Sequence, residues 1–538
     1  HWHEDDGEPF PTCTCGAADL DSTAGLAAGG IDGDGLPEIV ALSEGDVVRI
    51  YSSRGEQLLD LGGASSGGNA APSIANLDGA GLAEVVVGAH VFTFELTAGG
   101  ALALVDRLDG TSNQGSNGQG PISCIADLVG DSTLEVIGGG TVYQMPTPPA
   151  GVTRRSMCAG GDTSDFCRGR LTIAWNAGVD GFCAVADVLG TDAAMPPSPA
   201  NPLDGSPEVI LITSGRLQIF EGATGTRRRD IALPVSSRDG APNVDDFDGD
   251  GFPEIGTAGS TAYIMYDLQA TTAMCPAWPN VFRDGVAGLQ GNTARTPPAA
   301  TCTTDADCGD TSQFVCNEEI GACICLHNGW LRQTEDDSSQ VTGSSVFDFN
   351  GDGAAEVVYN DECYFRIYSG LDGSVLFREA SESRTRTENP VVADVANDGN
   401  AEIAFATSNE SGLCSGRPLA PMFNNGLEVW GDASDLWVSA GRIWNEHAYH
   451  VTNVLESGGV PLREPESWRS YGMRQYNTYR SQPRSYGVAP NLVVDRIQLS
   501  SPGAMCGALG TTLVITARIV NRGDLRVGPD VVVSFKDV

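Results

Sequence analysis

From residue 246 to residue 254 the chain reads Asp-Phe-Asp-Gly-Asp-Gly-Phe-Pro-Glu, which puts carboxylates at loop positions one, three, five and nine. That donor set suits a hard cation, since Ca2+ takes six to eight oxygens at about 2.3–2.6 Å and tolerates irregular geometry. Glycines between the acids permit the sharp turns of a chelating loop. The same residues have a second use: each Asp can accept nearby backbone N–H groups and form a turn with no metal involved. Asp348, Asn350, Asp352 and Glu356 repeat the pattern with one amide in place of an acid. Five further copies are less complete. Asp32, Asp34 and Glu38 have Gly30 at position one, and both Asp127, Asp131, Glu135 and Asp394, Asp398, Glu402 lack the third-position acid. Asn76, Asp78 and Glu84 have Ala80 at position five, and the loop begun by Asp187 is interrupted before Asp204-Gly-Ser-Pro-Glu208 completes it. Metal ligation is expected at the loops of Asp246, Asp348, Asp32, Asp127 and Asp394, and turn chemistry at those of Asn76 and Asp187.

Seven loops in one chain describe an architecture. Their first positions, Gly30, Asn76, Asp127, Asp187, Asp246, Asp348 and Asp394, lie 46, 51, 60, 59, 102 and 46 residues apart. A short apolar run precedes each loop and another follows it, with further runs such as Tyr-Phe-Arg-Ile-Tyr from Tyr364. Four short strands per period of about 45–60 residues is the unit of a β-propeller blade. Seven such units close a ring without a long exposed edge. The expectation is an all-β chain: a seven-bladed β-propeller over 20–440 after an N-terminal tail over 1–19. The long interval holds a cysteine-rich insertion at about 275–330, where Cys302, Cys308, Cys316, Cys323 and Cys325 lie among Asp, Gly and Thr. Such a segment holds its shape by disulfides or metal, and its Cys-x-Cys end looks like an EGF-type knot, with Cys275 a sixth member. A second, proline-rich insertion occupies 191–206. From 441 to 490 the loops fade and aromatics rise, which reads as a segment wrapping the ring. After Pro490, period-two runs at 491–499, 512–520 and 531–535 read as part of an immunoglobulin-like β-sandwich.

Composition narrows the function. Of 538 residues, 70 are acidic and 31 basic, a net charge of −39, which disfavours nucleic acid and anionic membranes and favours divalent cations. No run approaches the length of a membrane span. Fifteen cysteines without paired CxxC motifs point to an oxidising, extracellular compartment, and the odd count leaves one outside any internal pairing. The chain starts at His1 and not Met, as a processed form or fragment does.

The loops resemble the FG-GAP or VCBS repeats of integrin α-subunit propellers and their bacterial relatives. The resemblance implies Ca2+ in an Asp-rich loop joining the first two strands of a blade. Position nine is usually Asp in that family and is Glu throughout this chain, so the ninth ligand is expected to bind differently or through water. The C-terminal strands resemble the start of a CARDB-type immunoglobulin-like domain. The segment from Gly441 to Asn453 resembles one that follows such propellers in large secreted bacterial proteins. Together these imply an extracellular, calcium-binding display module for adhesion or attachment to a protein or glycan partner. Two other functions remain open. One is a structural subunit of an extracellular filament, self-assembling through the C-terminal domain. The other is a Ca2+-dependent polysaccharide lyase or hydrolase, for which Arg227–Arg229 would have to cluster with His447.

Other chemistry-bearing residues have plainer uses. His447 and His450 beside Glu446 form no HExxH helix, and their aromatic neighbours suggest packing. His1-Trp2-His3 reads as part of a solvated tail, and Arg522-Gly-Asp524 as a turn between strands. No nucleophile elbow, P-loop or dinucleotide fingerprint is present, and a non-enzymatic role is expected.

Overall fold

The computed structural model describes residues 20–521 apart from 21–22, 44, 65–68, 147–163, 234–237, 260–261, 270–280, 283–300, 310–313, 318–321, 326–328, 337–340, 384, 409–413, 415–425, 435, 470–475, 483–491 and 501–513. The described chain is all-β, built from successive antiparallel sheets; one helical turn, α1 (Asp165–Arg168), and one 3-10 turn (Asp305–Cys308) are exceptions.

The first sheet runs β1 (Ala27–Gly29), β2 (Glu38–Ser43), β3 (Val47–Tyr51), β4 (Gln57–Gly63), each pairing with the next. The second repeats it with β5 (Pro72–Ala75), β6 (Glu84–Val87), β7 (His90–Leu96) and β8 (Leu102–Asp109). The third comprises β9 (Cys124–Ala126), β10 (Glu135–Gly138), β11 (Thr141–Gln144) and β12 (Thr172–Asn176). The fourth comprises β13 (Phe182–Ala186), β14 (Glu208–Thr213), β15 (Arg216–Glu221) and β16 (Arg227–Ala232). The fifth opens with β17 (Asn243–Asp245), β18 (Glu254–Ala258) and β19 (Ala262–Tyr266). The cysteine-rich insertion then intervenes. It contributes β20 (Val281–Phe282) and the hairpin β21 (Phe314–Asn317) and β22 (Ala322–Cys325) before β23 (Trp330–Gln333) pairs with β19. The sixth comprises β24 (Ser345–Phe347), β25 (Glu356–Asn360), β26 (Tyr364–Tyr368) and β27 (Val375–Ala380). The seventh shows three described strands, β28 (Val391–Ala393), β29 (Glu402–Thr407) and β30 (Gly426–Trp430). Beyond them, β31 (Leu492–Ser500) and β32 (Val514–Asn521) form a two-stranded antiparallel sheet. The third apolar run at 531–535 lies outside the described residues, as do His1–His3 and 522–524.

Burial follows strand order. The first two strands of a sheet are apolar and covered on both faces, as in β5, β6 and β13, while fourth strands such as β16 and β27 alternate toward solvent. First strands of neighbouring sheets pack side by side: β1 on β5, β9 on β13, β13 on β17, β17 on β24, and β24 on β28. Sheet faces meet through apolar clusters such as Phe247, Tyr263, Trp330, Tyr359 and Tyr368 between the fifth and sixth. Three disulfides lie among the described residues, Cys124–Cys183, Cys302–Cys316 and Cys363–Cys414, the first joining β9 to β13 across two sheets.

The segment after the seventh sheet is buried at two stretches. Asn445, Glu446, His447, Ala448, Tyr449 and His450 are buried, and so are Tyr479, Arg480, Ser481 and Gln482. Ala28 donates its N–H to the Asn445 carbonyl at 2.8 Å, and Ile74 donates to Glu446 Oε2 at 2.9 Å. Tyr479 and Val244 exchange backbone hydrogen bonds at 2.9 and 3.0 Å, Val346 N–H meets the Arg480 carbonyl, and Gln482 Nε2 donates to the Val392 carbonyl. Arg480 Nη1 donates to the carbonyls of Cys183 and Pro242. These partners stand in or beside β1, β5, β13, β17, β24 and β28. Two buried stretches of this segment, 445–446 and 479–482, therefore together touch the first strands of six of the seven sheets. Of the aromatics expected to wrap the sheets, Tyr449, Trp468 and Tyr479 are buried, while Leu455 and Leu462 between them are exposed.

Candidate metal-binding loops

All seven loops occupy the same place: each begins directly after the first strand of its sheet, and its last acid opens the second. That acid has a uniform job. Glu38, Glu84, Glu135, Glu208, Glu254 and Glu356 each use Oε2 to accept the N–H of the loop's second residue, at 2.7 to 2.9 Å. Glu402 does the same one residue later, at Ala396. Each of these Glu residues is thus a staple holding the loop's entry against its exit, reaching back seven residues in five loops, six from Glu402 and, across the insertion, twenty from Glu208. The first-position acid is a second staple. Asp246 accepts the N–H groups of Gly249, Asp250 and Gly251, and Asp348 accepts those of Gly351, Asp352 and Gly353. Asp127 holds Gly130, Asp131 and Ser132, and Asp394 holds Asp398 and Gly399. Glycine is needed where it occurs: Gly249, Gly251, Gly351 and Gly353 have φ of 80°, 91°, 76° and 98°.

Much of the acid in the loops therefore does turn chemistry, and what distinguishes a cation site is convergence. Asp246, Asp248 and Asp250 each bring an oxygen within 4.8 Å of the others, and so do Asp32, Asp34 and Glu38. Asp127, Asp131 and Glu135, and likewise Asp394, Asp398 and Glu402, do not gather as such a trio. In the sixth-sheet loop, Asp348 reproduces the Asp246 pattern, and the Asn350 side chain both donates to Asp352 Oδ2 and accepts the Asp352 N–H. Cys302 and Cys316, which also approach Cys308, are joined as a disulfide, and Cys308 is disulfide-bonded too, so the insertion is held by oxidation.

Electrostatics single out the fifth-sheet loop. Burial, then the charges of Asp250, Asp267 and Asp246, pushes the Asp248 carboxyl far above its usual range. Burial, then Asp248, Asp267, Asp246 and Asp250, does the same to Glu254. Asp267, buried just after β19, belongs to this cluster and was missed by sequence reasoning. Nothing in its local sequence marks it; only the fold of β19 onto β18 brings it to the loop. Burial also raises Glu38, Glu135 and Glu402, and lifts Glu84 to about 8, Glu208 to about 9 and Asp187 to about 7.

The residues named for an enzyme stay apart. Arg227 pairs with Asp230, Arg228 with Glu221, and Arg229 donates to the carbonyls of Ala193 and Met195, all on or near the exposed strand β16. His447 lies in the interior segment and shares a 2.7 Å hydrogen bond with the Thr387 carbonyl. His450 packs on Tyr479 and bonds Glu464 at 2.5 Å.

With this geometry in hand the comparisons are informative. The biofilm matrix protein Bap1 of V. cholerae superposes with a TM-score of 0.53 at 19% identity, covering 85% of this chain and 84% of its own. The likeness is one of fold. An exotype rhamnogalacturonan lyase, YesX, gives 0.38 at 13% identity over 71% of this chain and 59% of its own. BamB from Moraxella catarrhalis gives 0.31 at 12% over 72% and 92%. These two scores are too low to carry an argument. No protein-family model matches the chain, and no curated protein matches it. A β-rich repeat fold is thereby supported independently of the loop motif. No helix among the described residues is long and apolar enough to cross a membrane.

Proposed function

We propose that the seven sheets are blades of a closed β-propeller of the FG-GAP or VCBS kind, pinned by Ca2+ and displayed outside the cell as a binding or adhesion module. The observation that carries the ring is the contact of two buried stretches of one segment with the first strands of six sheets, because strands that share a filler must face a common axis. Calcium follows from the fifth-sheet loop. Asp246, Asp248 and Asp250 converge there, and burial together with the charges of Asp250, Asp267 and Asp246 disfavours an unaccompanied charge on Asp248. A bound Ca2+ supplies positive charge that lets the buried Asp248 carboxyl ionise. Asp348, Asn350 and Asp352 would hold a second ion and Asp32, Asp34 and Glu38 a third. The loops of Asp127, Asp131, Glu135 and of Asp394, Asp398, Glu402 would offer weaker sites. The ninth-position Glu contributes at most its second oxygen, since the first is committed to a backbone N–H.

Display outside the cell is supported by the disulfides, which persist in oxidising compartments. The shared fold with a biofilm matrix protein is in keeping with a protein or glycan partner. The strands β31 and β32 would begin an immunoglobulin-like domain through which copies could assemble.

Thermal unfolding with and without EDTA tests the reading. Each site at a hundredfold excess of Ca2+ over its Kd adds about 2.7 kcal/mol, so chelation should lower the melting temperature plainly. An unchanged melting temperature would sink the calcium argument.

A further inference from the structure

A pocket of about 460 Å3 opens between the sixth and seventh sheets, beside the sixth-sheet loop, a volume suited to a small ligand. Trp430, at the end of β30, and Trp437, just beyond it, line the pocket together with Phe377, which is 41% exposed. Neighbouring rings fix both indoles. Trp437 lies 4.6 Å from Phe349 between centroids, and Phe365, Phe377 and Phe405 meet Trp430 at 63°, 86° and 80°. The polar part of the lining is acidic: Asp432 and Glu356 supply carboxyl groups and Asn350 an amide. Among the described residues of the lining there is no Lys, Arg or His, and no hydroxyl side chain. Elsewhere in the chain, aromatic faces are met by arginines. Arg366 and Arg378 lie over Tyr364 at 4.8 and 5.1 Å, Arg107 over Phe92 at 5.6 Å, and Arg480 over Tyr479 at 5.1 Å. Indole is the strongest ring for such contacts, yet no cation of the described protein lies over Trp430 or Trp437. Their N–H groups are unspent as well. Trp175 and Trp330 donate to the carbonyls of Gly222 and Gly370 at 2.7 Å, whereas neither pocket indole donates a hydrogen bond among the described residues.

We propose that this pocket binds a small quaternary ammonium compound of the choline class. Its methyl groups bury against Trp430, Trp437 and Phe377, while the ring quadrupoles and the Asp432 carboxylate balance its charge. An indole N–H remains for the hydroxyl at its other end. The lining selects the class by what it holds and what it omits. A sugar brings many hydroxyls and finds few polar partners here, and an anion finds no positive charge. A net charge of −39 attracts cations to the surface as a whole. The inference rests on the reading of this chain as a binding module, and names a ligand class for it; it does not depend on calcium.

The test is calorimetry of the full chain in Ca2+ with choline, tetramethylammonium and neohexanol, the uncharged carbon analogue of choline. The expected result is binding of both cations, with neohexanol about tenfold weaker than choline. Two variants locate the site. Asp432→Asn keeps an oxygen for the Ser434 and Leu436 N–H groups that Asp432 Oδ2 accepts, and Trp437→Phe keeps a ring against Phe349, so both should melt with the native chain. Asp432→Asn should weaken choline about fivefold and leave neohexanol unchanged, and Trp437→Phe should weaken choline by a similar factor. Neohexanol binding as tightly as choline would reveal a merely apolar pocket and overturn the proposal. Choline binding that neither variant weakens would lie elsewhere and overturn it too, as would no binding of either cation at millimolar concentration. Each of those failures leaves the display reading standing. An EDTA-insensitive melting temperature with choline binding retained would fail the calcium reading while the pocket stands.

Discussion

Glu208 offers a quantitative test of the loop staples. It is 3% exposed, and its Oε2 accepts the N–H groups of Val188 and Leu189 at 2.9 and 3.2 Å. Burial, reinforced by the charges of Asp187 and Asp204, raises its carboxyl from 4.5 to about 9. The folded chain therefore keeps a proton that the unfolded chain releases above pH 4.5. Stability falls as pH rises from 4.5 toward 9, by about 1.4 kcal/mol per pH unit, reaching about 3 kcal/mol at pH 7. Glu208→Gln retains an oxygen for both N–H groups and abolishes the titration. The variant should match the native chain near pH 4.5 and exceed it by about 3 kcal/mol at pH 7, with the gain growing up to about pH 9. The assay is urea unfolding of both proteins in EDTA at a series of pH values, reading midpoints at constant slope. A gain that is flat with pH, or a variant less stable than the native chain at about pH 8 in EDTA, would refute the reasoning, because it would mean that Glu208 is ionised and favourably held.

Three further outcomes follow from the interior. Arg480→Ala should cost about 3–5 kcal/mol in chemical denaturation, since it strips the donors from the carbonyls of Cys183, Pro242 and His447 and leaves a cavity; a loss under about 1 kcal/mol would show that the segment does not bear on the sheets. Replacing Cys124 and Cys183 together by serine frees a loop closed over a separation of 59 residues and should lower unfolding stability by roughly 4 kcal/mol in urea unfolding without reductant; an unchanged midpoint would contradict the cross-link's role. A chain ending at residue 440 should fail to give a cooperative melting transition, because six first strands lose their common partner; a sharp transition near that of the full chain would contradict the axial role.

The positions of the loops, and the strands on either side of them, were legible from the sequence because they are local. Asp and Gly at fixed offsets force a turn, and the apolar runs flanking it have nowhere to go but a sheet. All seven first positions fall directly after a first strand for that reason. The choice between turn and metal was not legible, because both use the same acids. Tertiary structure shows which acids meet: Asp127, Asp246 and Asp394 all accept backbone N–H groups, and of these three Asp246 also gathers Asp248, Asp250 and, from just beyond β19, Asp267. The substitution of Glu for Asp at position nine was visible in every copy, yet its use as a staple appeared only once the loop closed. The fate of 441–482 was equally hidden. Its aromatics fit a coat or a core equally well by composition, and burial against six distant strands is a property of the tertiary fold, set by contacts that span hundreds of residues. What the sequence determined was the repeat and its turns; what only the tertiary structure decided was which charges meet and what fills the middle, because desolvation and long-range pairing have no signature in local order.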